Sequence, residues 1–215
     1  MRETARVLQI NRKTVNRKMI FMGLKAKAEL KEFNSKFKKS TSVLFDDMET
    51  FEHTKCKPIS IGLMVEDKTR RILGYNVARM PAKGLLAKLS IKKYGKREDE
   101  RPIKRSILFS ELKSLIDEMS VIKSDECPFY YKYIQRHFPR AIHKKFKGRA
   151  SAVTGQGELK KVGYDPLFSL NHTCATLRAR TSRLIRKTWC TTKKIENLDL
   201  HLAIVCLRHN RQLQI

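Results

Sequence analysis

Three apolar runs between Ser40 and Pro81, each too short for a buried helix, most narrowly limit what this chain can fold into. "STSVLFDDMETF" rises through Val43, Leu44 and Phe45, which suits a buried strand with Asp46 at the end of its apolar part. "PISIGLMVEDKTRRILGYNVARMP" then reads as strand, turn at Glu66–Arg70, and strand, an antiparallel hairpin. Beyond it, "KKYGKREDERPIKR" has almost no apolar content and reads as an exposed loop. "SILFSELKSLIDEM" places Ile107, Leu108, Leu112, Leu115 and Ile116 at helical spacing. "VIKSDECPFYYKYIQRHFP" reads as a short strand ending at Asp125, a break at Pro128 and an aromatic-rich helix, and "AIHKKFKG" as another strand.

"RASAVTGQGELKKVGYDPLF" is loop-like, punctuated by Gly155, Gly157, Gly163 and Pro166. The last third is helical. Leu170, Cys174, Leu177, Thr181 and Leu184 form one stripe, and "IENLDLHLAIVCLRHN" closes the chain with Leu198, Leu202, Val205 and Cys206 as its apolar face. Three strands followed by alternating helices and strands predict an α/β fold, a mixed sheet covered by helices, over residues 41–215.

Residues 1–40 differ in kind. "MRETARVLQINRKTVNRKMIFMG" reads as two short helices around a turn, with Asn11 as N-cap of the second and Val15 and Met19 facing inward. Arg12, Lys13, Asn16 and Arg17 then point outward, as in a helix-turn-helix whose second helix enters a DNA groove. Any basic amphipathic hairpin would show the same pattern. "KAKAELKEFNSKFKKS" reads as a polar, Lys-rich linker.

Charge narrows the partners. With 47 Lys plus Arg against 21 acids, the formal net charge is +26, which points to a nucleic acid sharing the surface; ribosome-like or RNA-binding basic proteins share this property. A hydrophobic fraction of 41% argues against a disordered polycation. No window approaches a membrane span and no basic segment opposes a broad apolar face, so no membrane partner is expected. The five cysteines are scattered and never form C-x-x-C, which predicts reduced thiols in a cytoplasmic protein rather than a zinc site; a DNA partner would make it nucleoid-associated.

Against this background "VLFDDMETFEH" stands out: Asp46, Asp47, Glu49 and Glu52 lie within seven residues with no Lys or Arg among them. A place for a cation is one explanation. Two Mg²⁺ ions commonly run phosphodiester chemistry, each taking only one or two carboxylates from rigid elements. Asp46 and Asp125, each expected at a strand end and each followed by a second acid, fit that requirement. A solvated turn or a helix cap is the alternative for either.

These residues carry a resemblance. "FDDMETFEHTKCKP", "SDECPFYYKYI", "GQGELK" and "DPLFSLNHTCATLRARTSRLIRKTWCTTKK" resemble the catalytic region of DDE-type transposases of bacterial insertion sequences, over most of residues 41–215. The resemblance is to the Asp-Asp-Asn branch (ISXO-like). It implies a ribonuclease-H-like fold and metal-dependent DNA cleavage and strand transfer with Mg²⁺ or Mn²⁺, two ions in all. Asp46, Asp125 and Asn171 would hold the metal and Arg178, seven residues on, would orient phosphate. DNA, both element ends and target, is the implied partner, contacted also by Arg180, Arg183, Arg186 and Lys187, with the protein working as a homo-oligomer on DNA.

An ordinary N-cap also accounts for Asn171. Glu158, 33 positions after Asp125, is the second choice for the third catalytic place. The Phe129–Tyr133 aromatics either stack on unpaired bases or are buried against the sheet. Members of the family commonly carry a zinc ribbon before the helix-turn-helix. No cysteine precedes Cys56, so an N-terminally truncated copy is expected. An inactive DNA-binding remnant or regulator and a stand-alone nuclease of the same fold are the competing functions.

Overall fold

The computed structural model describes residues 2–147, 164–185 and 189–213. Five strands form one mixed sheet: β1 (Ser40–Phe51), β2 (Pro58–Glu66), β3 (Ile72–Arg79), β4 (Ile116–Asp125) and β5 (Ile142–Phe146), in spatial order β3-β2-β1-β4-β5. β2 runs antiparallel to both β1 and β3, whereas β4 lies parallel to β1 and β5 parallel to β4. Parallel neighbours require crossovers, which here contain helices. The helices are α1 (Arg2–Val7), α2 (Arg12–Ser35), α3 (Leu86–Tyr94), α4 (Arg101–Glu111), α5 (Tyr130–His137), α6 (Phe168–Arg180) and α7 (Ile195–Gln212). The fold is α/β, as expected. Among the described residues no helix is long and apolar enough to cross a membrane.

Alternation along β1 divides the interior into two cores. Leu44 and Met48 face a core shared with Ala26 and Leu30 of α2, Leu170 and Leu177 of α6, and Leu198, Leu202 and Cys206 of α7. Val43 and Phe45 face the opposite core, with Leu108 and Phe109 of α4 and Tyr130 and Ile134 of α5. Because period two puts Asp46 with Leu44 and Asp47 with Phe45, the paired acids are sent to different sides of the sheet.

Four expectations need correction. The stretch Lys25–Ser40 is not a linker: α2 continues through it to Ser35, burying Ala26, Leu30 and Asn34. Gly23 permits this by bringing α2 close to α7, where an added Cβ would stand 2.6 Å from Cβ of Leu200. The loop expected over Lys92–Arg105 is confined to 95–100. The segment Arg101–Glu111 is helix with Pro102 in its first turn, a favourable place for proline.

The helix expected over Ser106–Met119 ends at Glu111, and Ile116–Met119 belong to β4. There Ser40 N–H bonds the Leu115 carbonyl (2.9 Å) and Ile116 pairs with Ser40. Long-range sheet pairing overrides the local helical spacing of Leu112, Leu115 and Ile116. Finally, Asp46 is not at a strand end, since β1 continues to Phe51; only its pairing with β4 stops, at Phe45 and Ser124.

Asn11 does cap α2, its side chain accepting from Lys13 N–H at 2.8 Å. Val15 and Met19 are buried as expected. Val7 and Leu8 are exposed, and α1 buries no residue.

Candidate functional site

Three of the four acids in the knot have cations. Asp47, on the α4 side, pairs with the buried Arg105. Glu49 pairs with Lys83 (3.0 Å) and Glu52 with Arg97 (3.6 Å). Among the described residues Asp46 forms no ion pair. The charge that acts on it most is another acid, Asp125, the residue that follows Ser124 on β4 just as Asp46 follows Phe45 on β1. Adjacent strands lie about 4.8 Å apart, and both side chains leave the sheet on the α6 side.

Each carboxylate is held by one oxygen. Asp46 Oδ1 accepts from the Asp47 N–H (2.7 Å) and from the Tyr130 hydroxyl (3.1 Å), whereas Asp125 Oδ1 accepts from the Cys127 N–H (3.0 Å). Among the described residues neither Oδ2 has a donor. Burial, then the negative charge of Asp125, raise the Asp46 pKa from 3.8 to about 6. A carboxylate pair that resists being charged together is a place where a cation is worth most. Among the described residues no group of three or more His, Cys, Asp or Glu is gathered for a metal.

Tyr130 comes from the opposite side. Its ring packs edge-on against Phe45 (4.9 Å, 77°) and lies under the Arg105 guanidinium, 5.0 Å from its centre. The hydroxyl meets Asp46 where β1–β4 pairing has stopped. Sequence reading missed both Tyr130 and Arg105. The signal for Arg105 was Pro102, which marks a helix start inside an otherwise polar stretch.

Helix α6 crosses the same region. The charge of Asp46, after burial, contributes to lifting the Cys174 thiol to about 12, and Arg178 opposes it. Asn171, Cys174 and Arg178 follow at i, i+3 and i+7, on one helix face. Asn171 is not the cap of α6; it lies in the first turn, exposed, donating Nδ2–H to Asp165 Oδ2 (3.0 Å). That leaves its carbonyl oxygen as the group available to a cation. No hydrogen bond joins Asn171 to Asp46 or Asp125 among the described residues.

The other expected residues are dispersed. Arg12, Lys13 and Arg17 are exposed and Asn16 half-buried on α2; Arg180 is exposed and Arg183 half-buried beyond α6. Arg186, Lys187, Glu158 and "GQGELK" lie outside the described residues. His53 and His172 are engaged elsewhere, the first through its N–H to the Thr192 carbonyl and the second with Arg70 at 2.8 Å. A groove of about 860 Å³ between α2, β3 and α4 includes neither aspartate in its lining.

Neither family models, nor curated proteins, nor solved structures yield a match to this chain.

Proposed function

We propose that the chain is a DDE-type transposase of the Asp-Asp-Asn kind, cutting DNA strands and joining them with divalent metal. The observation carrying this reading is the convergence of Asp46 and Asp125, 79 positions apart in sequence, on neighbouring parallel strands. The strand order β3-β2-β1-β4-β5, with its two antiparallel and two parallel neighbours, agrees with the ribonuclease-H-like layout that the resemblance implies.

The residues fit divalent metal. The Oδ2 atoms of Asp46 and Asp125 are undonated hard oxygens on a rigid sheet, and the Asn171 carbonyl can supply a neutral third. Bound there, Mg²⁺ or Mn²⁺ would polarise a phosphodiester and stabilise the attacking and leaving oxygens. The chain's own contributions are positional. Tyr130 and the Asp47 N–H fix the Asp46 carboxylate, the Cys127 N–H fixes Asp125, and Arg178 on the Asn171 face is suited to hold a phosphate by its planar fork. The N-terminal helices, with Arg12, Lys13, Asn16 and Arg17, would engage element ends, and Arg180 and Arg183 the flanking backbone.

A Mn²⁺-dependent cleavage assay on labelled element-end DNA tests the reading. Wild type should cut, and Asp46→Ala, Asp125→Ala and Asn171→Ala should each fall at least a hundredfold while remaining folded. Joining of a free 3′-hydroxyl end to target DNA separates a transposase from a nuclease. DNA binding without metal-dependent cutting would instead identify a DNA-binding remnant.

A further inference from the structure

The outer corner of the sheet beyond Asp125 carries a second set of exposed groups. Phe129 is 57% and Tyr131 50% exposed, although Tyr130 and Tyr133 beside them are buried. Tyr131 lies nearly parallel to the His143 imidazole (21°, ring centres 6.3 Å apart), and Lys145 Nζ stands 5.2 Å from the Tyr131 ring centre.

His143 is anchored to β4, with Nε2 2.8 Å from Ser124 Oγ. Burial and Lys145 hold its pKa below the ordinary value, so it presents a neutral ring. Lys145 is exposed and shares the His143 face of β5, the intervening Lys144 alternating to the other face. An exposed ring backed by a fixed ring and flanked by a lysine suits a ligand made of flat π-faces and negative charge. An apolar protein partner would have to strip water from Lys145.

We infer that Tyr131, backed by His143 and assisted by the exposed Phe129, is a stacking platform for an unpaired base of a DNA single strand, with Lys145 beside it to hold a phosphate. This inference rests on the DNA reading above and adds a substrate form to it. The platform is continuous in sequence with the aspartates, since Phe129 follows Asp125 by four residues and Lys145 pairs with Ser124.

The test uses the full chain in EDTA, where no cutting occurs, with a 2-aminopurine-containing single strand and the matching duplex. Wild type should bind the single strand with quenched fluorescence. Tyr131→Ala should relieve the quenching and weaken single-strand binding about tenfold, the loss expected for one stacked base, while duplex binding stays within twofold. Tyr131→Phe should behave as wild type, which guards against a folding artefact. Equal losses on single strand and duplex, or no loss with Tyr131→Ala, would overturn the platform and leave the DNA reading standing. A wild-type chain that binds neither form would sink both.

Discussion

Tyr130 donates its hydroxyl to Asp46 across 3.1 Å, although the two residues come from helix α5 and strand β1, on opposite sides of the sheet. Burial and nearby aspartates push the phenol far above its ordinary pKa, so it remains a donor at any working pH. Tyr130→Phe removes only this bond and leaves the ring on Phe45. A hydrogen bond to a charged group contributes about 1.5–3 kcal/mol. Mn²⁺-dependent cleavage at saturating metal should therefore fall about tenfold or more, with the melting temperature lowered by several degrees and the fold retained. An unaltered rate would show that the Asp47 N–H alone orients the carboxylate.

The raised pKa of Asp46 makes a prediction about stability against pH. The folded chain binds this proton more tightly than the unfolded chain, so stability falls as pH rises through the interval from 3.8 to about 6. The loss is absent below that interval and complete above it, and amounts to about 3 kcal/mol at most. Asp46→Asn removes the titrating group. In metal-free urea unfolding, the mutant should gain on wild type between pH 4 and pH 7.5, whatever other groups titrate in common. Added Mn²⁺ should narrow the gap at pH 7.5 by stabilising wild type alone. A pH-independent difference would show that Asp46 is not raised.

Asp47 does different work from its neighbour. Its pair with Arg105, which is only 4% exposed, ties α4 to β1, with the guanidinium over the Tyr130 ring. Removing either partner strands a buried charge, a loss of about 3–5 kcal/mol. Asp47→Ala and Arg105→Ala should each lower the urea midpoint strongly, and the double mutant should lose less than the sum. Additive losses would mean that the two side chains do not interact.

The strands were legible where their periodicity agreed with their partners. The hairpin and β1 announce themselves through short apolar runs, and Asp125 was correctly expected at a strand end. The 3.6-residue pattern misled at Leu115 and Ile116, because pairing of Ile116 with Ser40, 76 positions away, is invisible to any local window. The same blindness hid the division of the acidic knot. Asp46 and Asp47 are identical in type, and only the alternation of a strand that continues to Phe51 sends one toward α6 and the other to Arg105. Asn171 was a candidate cap by local rules, yet the turn preceding α6 is organised by Asp165, whose Oδ1 accepts the Leu167 N–H at 3.0 Å.

Helix α2 supplies the last prediction, because its composition hid its role. A Lys-rich helix with few apolar residues reads as a tether, but Gly23 sits where a side chain would collide with Leu200 of α7. In an isolated helix Gly23→Ala would stabilise by about 1 kcal/mol. Here the added methyl meets Leu200 Cβ at 2.6 Å and its backbone Cα at 3.1 Å, atoms that a rotamer change cannot move. The helices must separate, at a cost of about 1–3 kcal/mol. Gly23→Ala should thus lower stability despite its better helix propensity, and Leu200→Ala, which leaves Cβ in place, should not restore it. Gly23→Ala raising the urea midpoint would mean that α2 does not pack on α7 and is free of the sheet, as the linker reading expected.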